Sequence, residues 1–107
     1  MEIDFNSITI KPLPPKTPFD EKILNFIQDW YSEKSTVSVQ TSGSTGTPKL
    51  FEIEKSRMLK SAQKTCSFLN LKQGDRALLC LPVEYISGKM MVVRAIERKL
   101  KLYTEEP

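Results

Sequence analysis

The chain contains no histidine among its 107 residues. That absence removes the commonest metal ligand and general base, and with it a histidine-based zinc site and a Ser-His-Asp hydrolase. Its two cysteines, Cys66 and Cys80, lack C-x-x-C spacing. The expectation is two buried thiols in a reducing compartment, one on a helix and one in an apolar strand, in preference to a disulfide or a reactive pair. No apolar run approaches the length of a membrane span, and no basic segment followed by an apolar core opens the chain. A cytoplasmic location is the default that follows. Nor is there a dense basic block: 16 basic against 13 acidic residues leave a formal charge of +3, spread along the chain, which argues against a nucleic-acid surface. Internal repeats and low-complexity tracts are missing as well. What remains, 39% hydrophobic and 27% charged, is the mixture of an ordinary globular domain.

Glycine is also scarce, and its distribution is uneven. Two of the four glycines fall in the nine residues Thr41-Ser42-Gly43-Ser44-Thr45-Gly46-Thr47-Pro48-Lys49, together with hydroxyl side chains and one lysine. This is phosphate-binding chemistry: glycines let the backbone bend so that its amides approach an anion, and hydroxyls and a lysine add donors and charge. A polar turn is the commoner reading of such composition, but it does not explain Pro48-Lys49 at this offset. The run is not a Walker loop, because Pro48 has no amide hydrogen and keeps Thr47 out of the helical region, so Lys49 leaves on an extended segment. A dinucleotide-binding G-x-G-x-x-G is absent too.

The stretch resembles the signature of the acyl-adenylate-forming enzymes, the superfamily of acyl-CoA synthetases, luciferases and nonribosomal-peptide adenylation domains, whose pattern reads approximately [ST]-S-G-[ST]-T-G-x-P-K. The resemblance continues through Leu81-Pro82-Val83-Glu84-Tyr85-Ile86-Ser87-Gly88 to Arg94. That form, L-P-x-x-[HY]-I-S-G with a later arginine, is similar to the o-succinylbenzoate-CoA ligases of menaquinone biosynthesis. The resemblance implies an ATP phosphate cradle of Thr41, Ser42, Gly43, Ser44, Thr45, Gly46 and Lys49, with Lys49 as the catalytic charge stabiliser. It implies an acyl and adenylate pocket at Tyr85, Ser87, Gly88 and Arg94. Tyr85 stands where many relatives have histidine, so an aromatic wall is what carries over. A guanidinium at Arg94 would suit a substrate with two carboxylates; a surface or interface ion pair is the alternative.

The implied reaction joins a small-molecule carboxylic acid to coenzyme A, with ATP and Mg2+ as cofactors and no protein-held metal within this chain. Enzymes of this superfamily are several times longer, so residues 1–107 are expected to form a single partial domain, the N-terminal portion of an AMP-binding domain, inactive alone. The expected fold class is α/β, helices packed on a mixed, partly parallel sheet. Two other readings stay open: a non-enzymatic phosphate- or nucleotide-binding module, and an interaction domain. Oligomeric state is open as well.

The elements follow from periodicity. Ile3-Asp4-Phe5 and Ile8-Thr9-Ile10 suggest short strands, and Pro12-Leu13-Pro14-Pro15 an extended connector. Thr17-Pro18-Phe19-Asp20 predicts a helix start, with Phe19, Ile23, Phe26, Ile27, Trp30 and Tyr31 on one face, a core stripe in preference to a docking surface. Val37 to Thr41 and Leu50 to Glu54 predict strands that pair across the loop. Ser56 is expected to cap a helix carrying Met58, Leu59, Ala62, Cys66 and Leu69, and Gln73-Gly74-Asp75 to turn. The continuous apolar run Ala77 to Leu81 predicts a buried parallel strand. A packed helix from Ser87 to Arg98, its polar side toward the pocket, and a strand over Lys99 to Tyr103 complete the reading.

Overall fold

Thr17 and Pro18 start the first helix as the sequence predicts. The Asp20 amide donates to Thr17 Oγ1 at 3.1 Å, the side-chain cap that satisfies one of the free amides at a helix start. The computed structural model describes residues 1–7, 17–41 and 49–107. The expected strand at Ile8-Thr9-Ile10, the connector Pro12 to Pro15, and Ser42, Gly43, Ser44, Thr45 and Gly46 of the loop lie outside those residues. In chain order the elements are β1 (Glu2–Asp4), α1 (Pro18–Trp30), β2 (Thr36–Gln40), β3 (Leu50–Glu54), α2 (Lys55–Phe68), β4 (Arg76–Leu79), α3 (Ile86–Arg98) and β5 (Lys101–Thr104). The fold class is α/β, as expected.

Two sheets are present among the described residues. One has the order β1-β5-β4, with β1 antiparallel and β4 parallel to β5. The parallel pair is joined through α3, since parallel neighbours need a crossover. The other is the β2-β3 hairpin, in register from Thr36 opposite Glu54 to Gln40 opposite Leu50. Alternation sets this register: Val37 and Val39 are buried, while Ser38 faces solvent and donates to Glu52 across the strands. A one-residue slip would turn both valines out.

The core lies between the three-stranded sheet and the helices, where Ile3, Leu79 and Leu102 meet Ile23, Val92, Val93 and Ala95. Phe19, Ile23 and Phe26 are buried and Ile27 and Trp30 pack against them, so the aromatic face of α1 is core. Tyr31 alone of that stripe is left 60% exposed. Both α2 and α3 end through a residue in the left-handed region, Asn70 (φ 54) and Lys99 (φ 55). The next amides, of Leu71 and Leu100, then reach back to Cys66 O and Ala95 O at 2.9 Å, a Schellman closure. Lys99 therefore ends a helix, and β5 begins two residues later than the alternation suggested.

Three expectations are corrected. Ser56 does not cap α2: the cap residue is Glu54, with no side-chain cap bond, because the chain passes directly from strand to helix and the Lys55 amide is taken by Ser35 O at 2.8 Å. The β4 run is parallel but not fully buried. It is an edge strand of its sheet, Leu79 faces the core, and Leu78 is 53% exposed; an apolar run states what can be buried, and packing states what is. Cys80, just past that strand, is exposed while Cys66 is buried, and both thiols are free. Burial raises the pKa of the Cys66 thiol, with Arg98 and Arg94 pulling it back.

Candidate functional site

The two motifs read from the sequence meet at the end of the hairpin. Beyond the last pair of β2 and β3, the Thr41 amide donates to Lys49 O at 2.9 Å and the Lys49 amide to Thr41 Oγ1 at 3.2 Å. These bonds pin together the two ends of the loop that joins the strands. Lys49 is exposed and Thr41 half-buried, so the lysine side chain is free to meet an anion from solvent. One residue earlier, the Gln40 amide donates to Glu84 O at 3.0 Å. That bond carries the Leu81 to Gly88 motif to the base of the loop.

At this end of the hairpin lies a cleft of about 430 Å³ lined by Gln40, Thr41, Phe51, Tyr85, Ile86 and Ser87. Of the residues singled out from the sequence, Thr41, Tyr85 and Ser87 line it together. Gly88 and Arg94 do not, among the described residues. Gly88 lies beneath: a Cβ there would meet Pro82 O at 2.2 Å, so only glycine lets α3 start this close under the turn. Arg94 is two helical turns further along α3, over the α2 side, where its carbonyl faces Cys66 Sγ at 3.8 Å. Its Nε is buried with no hydrogen-bond partner among the described residues.

The turn that presents Tyr85 is fully bonded. Pro82 O accepts from the Tyr85 amide at 3.4 Å, Glu84 O from Gln40, and Tyr85 O from the Lys89 amide at 3.2 Å. Val83 O accepts from Lys89 Nζ. Lys22 Nζ adds an ion pair to Glu84 at 3.6 Å, half in solvent and therefore weak. Lys89 is 8% exposed and its ammonium lies 4.6 Å from the centre of the Phe26 ring. Burial lowers its pKa below the ordinary lysine value, while the carboxylates of Glu84 and Asp29 oppose the shift.

Gln40, Phe51, Ile86 and Lys89 were not among the sequence-predicted site residues. Phe51 was legible in principle: it shares one face of β3 with Ile53 and stands beside the loop that joins the strands. Lys89 was legible from helical phase, three and four residues before the buried Val92 and Val93.

No helix among the described residues is long and apolar enough to cross a membrane. No family model and no curated protein matches the chain. A solved structure does: the crystal structure of an acyl-CoA synthetase (AMP-forming)/AMP-acid ligase II-like protein from Dyadobacter fermentans superposes with a TM-score of 0.82 at 36% identity, over 90% of this chain. The chain spans 27% of that protein's length. In sequence and in fold, the chain is thus similar to one segment of an AMP-forming acyl-CoA synthetase-like protein.

Proposed function

We propose that this chain is the N-terminal part of the AMP-binding domain of an ATP-dependent acid-CoA ligase, and that o-succinylbenzoate is the acid. The observation that supports the reading is the Gln40–Glu84 bond, which brings Thr41, the strand edge of the expected phosphate loop, and the turn carrying Tyr85 to one cleft. The likeness to an AMP-forming acyl-CoA synthetase-like protein supports the same class. The half-bare sheet face around Leu78 is apolar surface that further polypeptide would cover. A cytoplasmic location belongs to this reading.

In the first half-reaction a carboxylate oxygen attacks the α-phosphorus of ATP and pyrophosphate leaves. The charge gathered on the leaving group is what a loop of amides, hydroxyls and one lysine can stabilise. Ser42, Gly43, Ser44, Thr45 and Gly46 supply short donors, Lys49 supplies the cation, and Thr41 anchors the loop at its strand edge. Tyr85 and Ser87, with Gly88 below them, form the wall against the acyl group. Arg94, which stands outside this cleft with its Nε buried and unpartnered among the described residues, enters the reading through the resemblance alone, as a guanidinium for the second carboxylate of a diacid.

The stretch Thr41 to Lys49 contains no carboxylate, so from this stretch a magnesium ion would gain at most a loop hydroxyl beside the nucleotide's own phosphates. When bound, it would neutralise phosphate charge.

ATP–pyrophosphate exchange in the full-length polypeptide tests the proposal. Lys49→Ala is expected to slow exchange by about two to three orders of magnitude, the scale of losing one preorganised stabilising group; an unchanged rate removes Lys49 from the cradle. Arg94→Ala should weaken use of o-succinylbenzoate far more than use of a monocarboxylate, and equal losses would remove the diacid assignment.

A further inference from the structure

A lysine buried over an aromatic ring, under a turn that lines a cleft, is costly unless its charge and hydrogen bonds do something. Lys89 takes two of the four consecutive carbonyls from Pro82 to Tyr85, Tyr85 O through its amide and Val83 O through its ammonium. The third, Glu84 O, goes to Gln40 on the hairpin. Neighbouring positions on α3 are filled by Met90, Val92 and Val93, so an apolar side chain would have suited the packing.

We infer that Lys89 is a positioning residue: its ammonium, held between the Phe26 ring and Val83 O, clamps the Pro82–Tyr85 turn against α1 and so fixes Tyr85 and the Gln40–Glu84 link at the cleft. The geometry reaches Tyr85 in short steps. Val83 is itself 2% exposed, so the clamp pulls on a residue already anchored in the core, and the two residues that follow it carry the link to β2 and the cleft wall. Phe26 contributes the ring face and Ile23 and Phe19 seat the same helix in the core, so the clamp is referred to a rigid element. Removing the ammonium leaves Val83 O buried without its partner, a cost concentrated in the turn.

The value of this clamp for an acyl pocket rests on the ligase reading above, while the clamp itself does not. Its test therefore uses the 107-residue chain with no nucleotide. In the unsubstituted chain, the Lys89 Hε resonances should lie upfield of every other lysine, shifted by the Phe26 ring; coincidence with solvated lysines would overturn the inference.

In Lys89→Met, which keeps length and apolar stem, amide hydrogen exchange at Gln40 and Tyr85 should accelerate at least about tenfold relative to Leu71 and Leu100, whose bonds close α2 and α3. Uniform acceleration at all four amides would mean general stabilisation only and would also overturn it. Failure of the ligase reading would appear instead as absent pyrophosphate exchange in the unsubstituted full-length polypeptide, with the exchange pattern of the turn untouched.

Discussion

The amide of Gln40 donates to the carbonyl oxygen of Glu84 at 3.0 Å, joining residues more than forty positions apart in the chain. It is the only described main-chain bond that links the end of β2 to the turn before α3. Through it, the paired residues Thr41 and Lys49 and the turn carrying Tyr85 share one frame.

Gly88→Ala should lower stability by about 1–3 kcal/mol, the usual range for overpacking, or roughly 4–8 °C in Tm for each kcal/mol. The added methyl would sit 2.2 Å from Pro82 O, which is backbone and cannot rotate away. Thermal unfolding followed by circular dichroism measures this, and an unchanged Tm would mean the turn gives way freely.

Lys49→Ala should change the stability of the isolated chain by no more than about 0.5 kcal/mol, because the side chain is exposed. Its backbone bonds with Thr41 need no side chain at position 49. Urea unfolding checks this, and a larger loss would give Lys49 a part in holding the hairpin.

Lys99→Gly should stabilise the chain by up to about 1 kcal/mol. Lys99 adopts φ 55 at the end of α3, a conformation that costs a residue with a Cβ roughly 1 kcal/mol and glycine little. The added backbone freedom of glycine when unfolded offsets part of the gain. Chemical denaturation of the two chains side by side reads the difference.

Lys89 sets a pH dependence whose sign follows from its lowered pKa. Below the lowered value the amine is protonated folded and unfolded alike, and the cost of burying the charge is fully present. As pH rises through that value the folded chain releases the proton first, so the unfolded chain binds more protons and stability rises. Relative to Lys89→Met, the unsubstituted chain should therefore gain stability from the lowered value up to the ordinary lysine value, and level off above it. A difference that stays flat or falls with alkaline pH would contradict a buried ammonium facing Glu84 and Asp29.

Much of the local structure was legible because it rests on chemistry between near neighbours. Thr17 and Pro18 start α1 wherever the rest of the chain goes, and the spacing of Phe19, Ile23 and Phe26 leaves that helix one apolar face to bury. The alternation of Val37 and Val39 against Ile53 sets the hairpin register across the loop. The residue types from Thr41 to Lys49 raise the expectation of an anion by themselves.

What the sequence left undecided depends on what lies on the far side of each element. Ala77 to Leu81 reads as a strand buried on both faces, yet β4 stands at the sheet edge with Leu78 outward and Cys80 exposed. Helical phase puts Lys89 on the buried side of α3, but only the arrival of α1 over α3 sets its ammonium against the Phe26 ring. The cleft takes its walls from elements far apart in the chain, joined where a β2 amide meets a carbonyl of the turn before α3. Helix caps and strand alternation are local and survive in the sequence; burial and the meeting of motifs are properties of the packed whole, set by the tertiary structure alone.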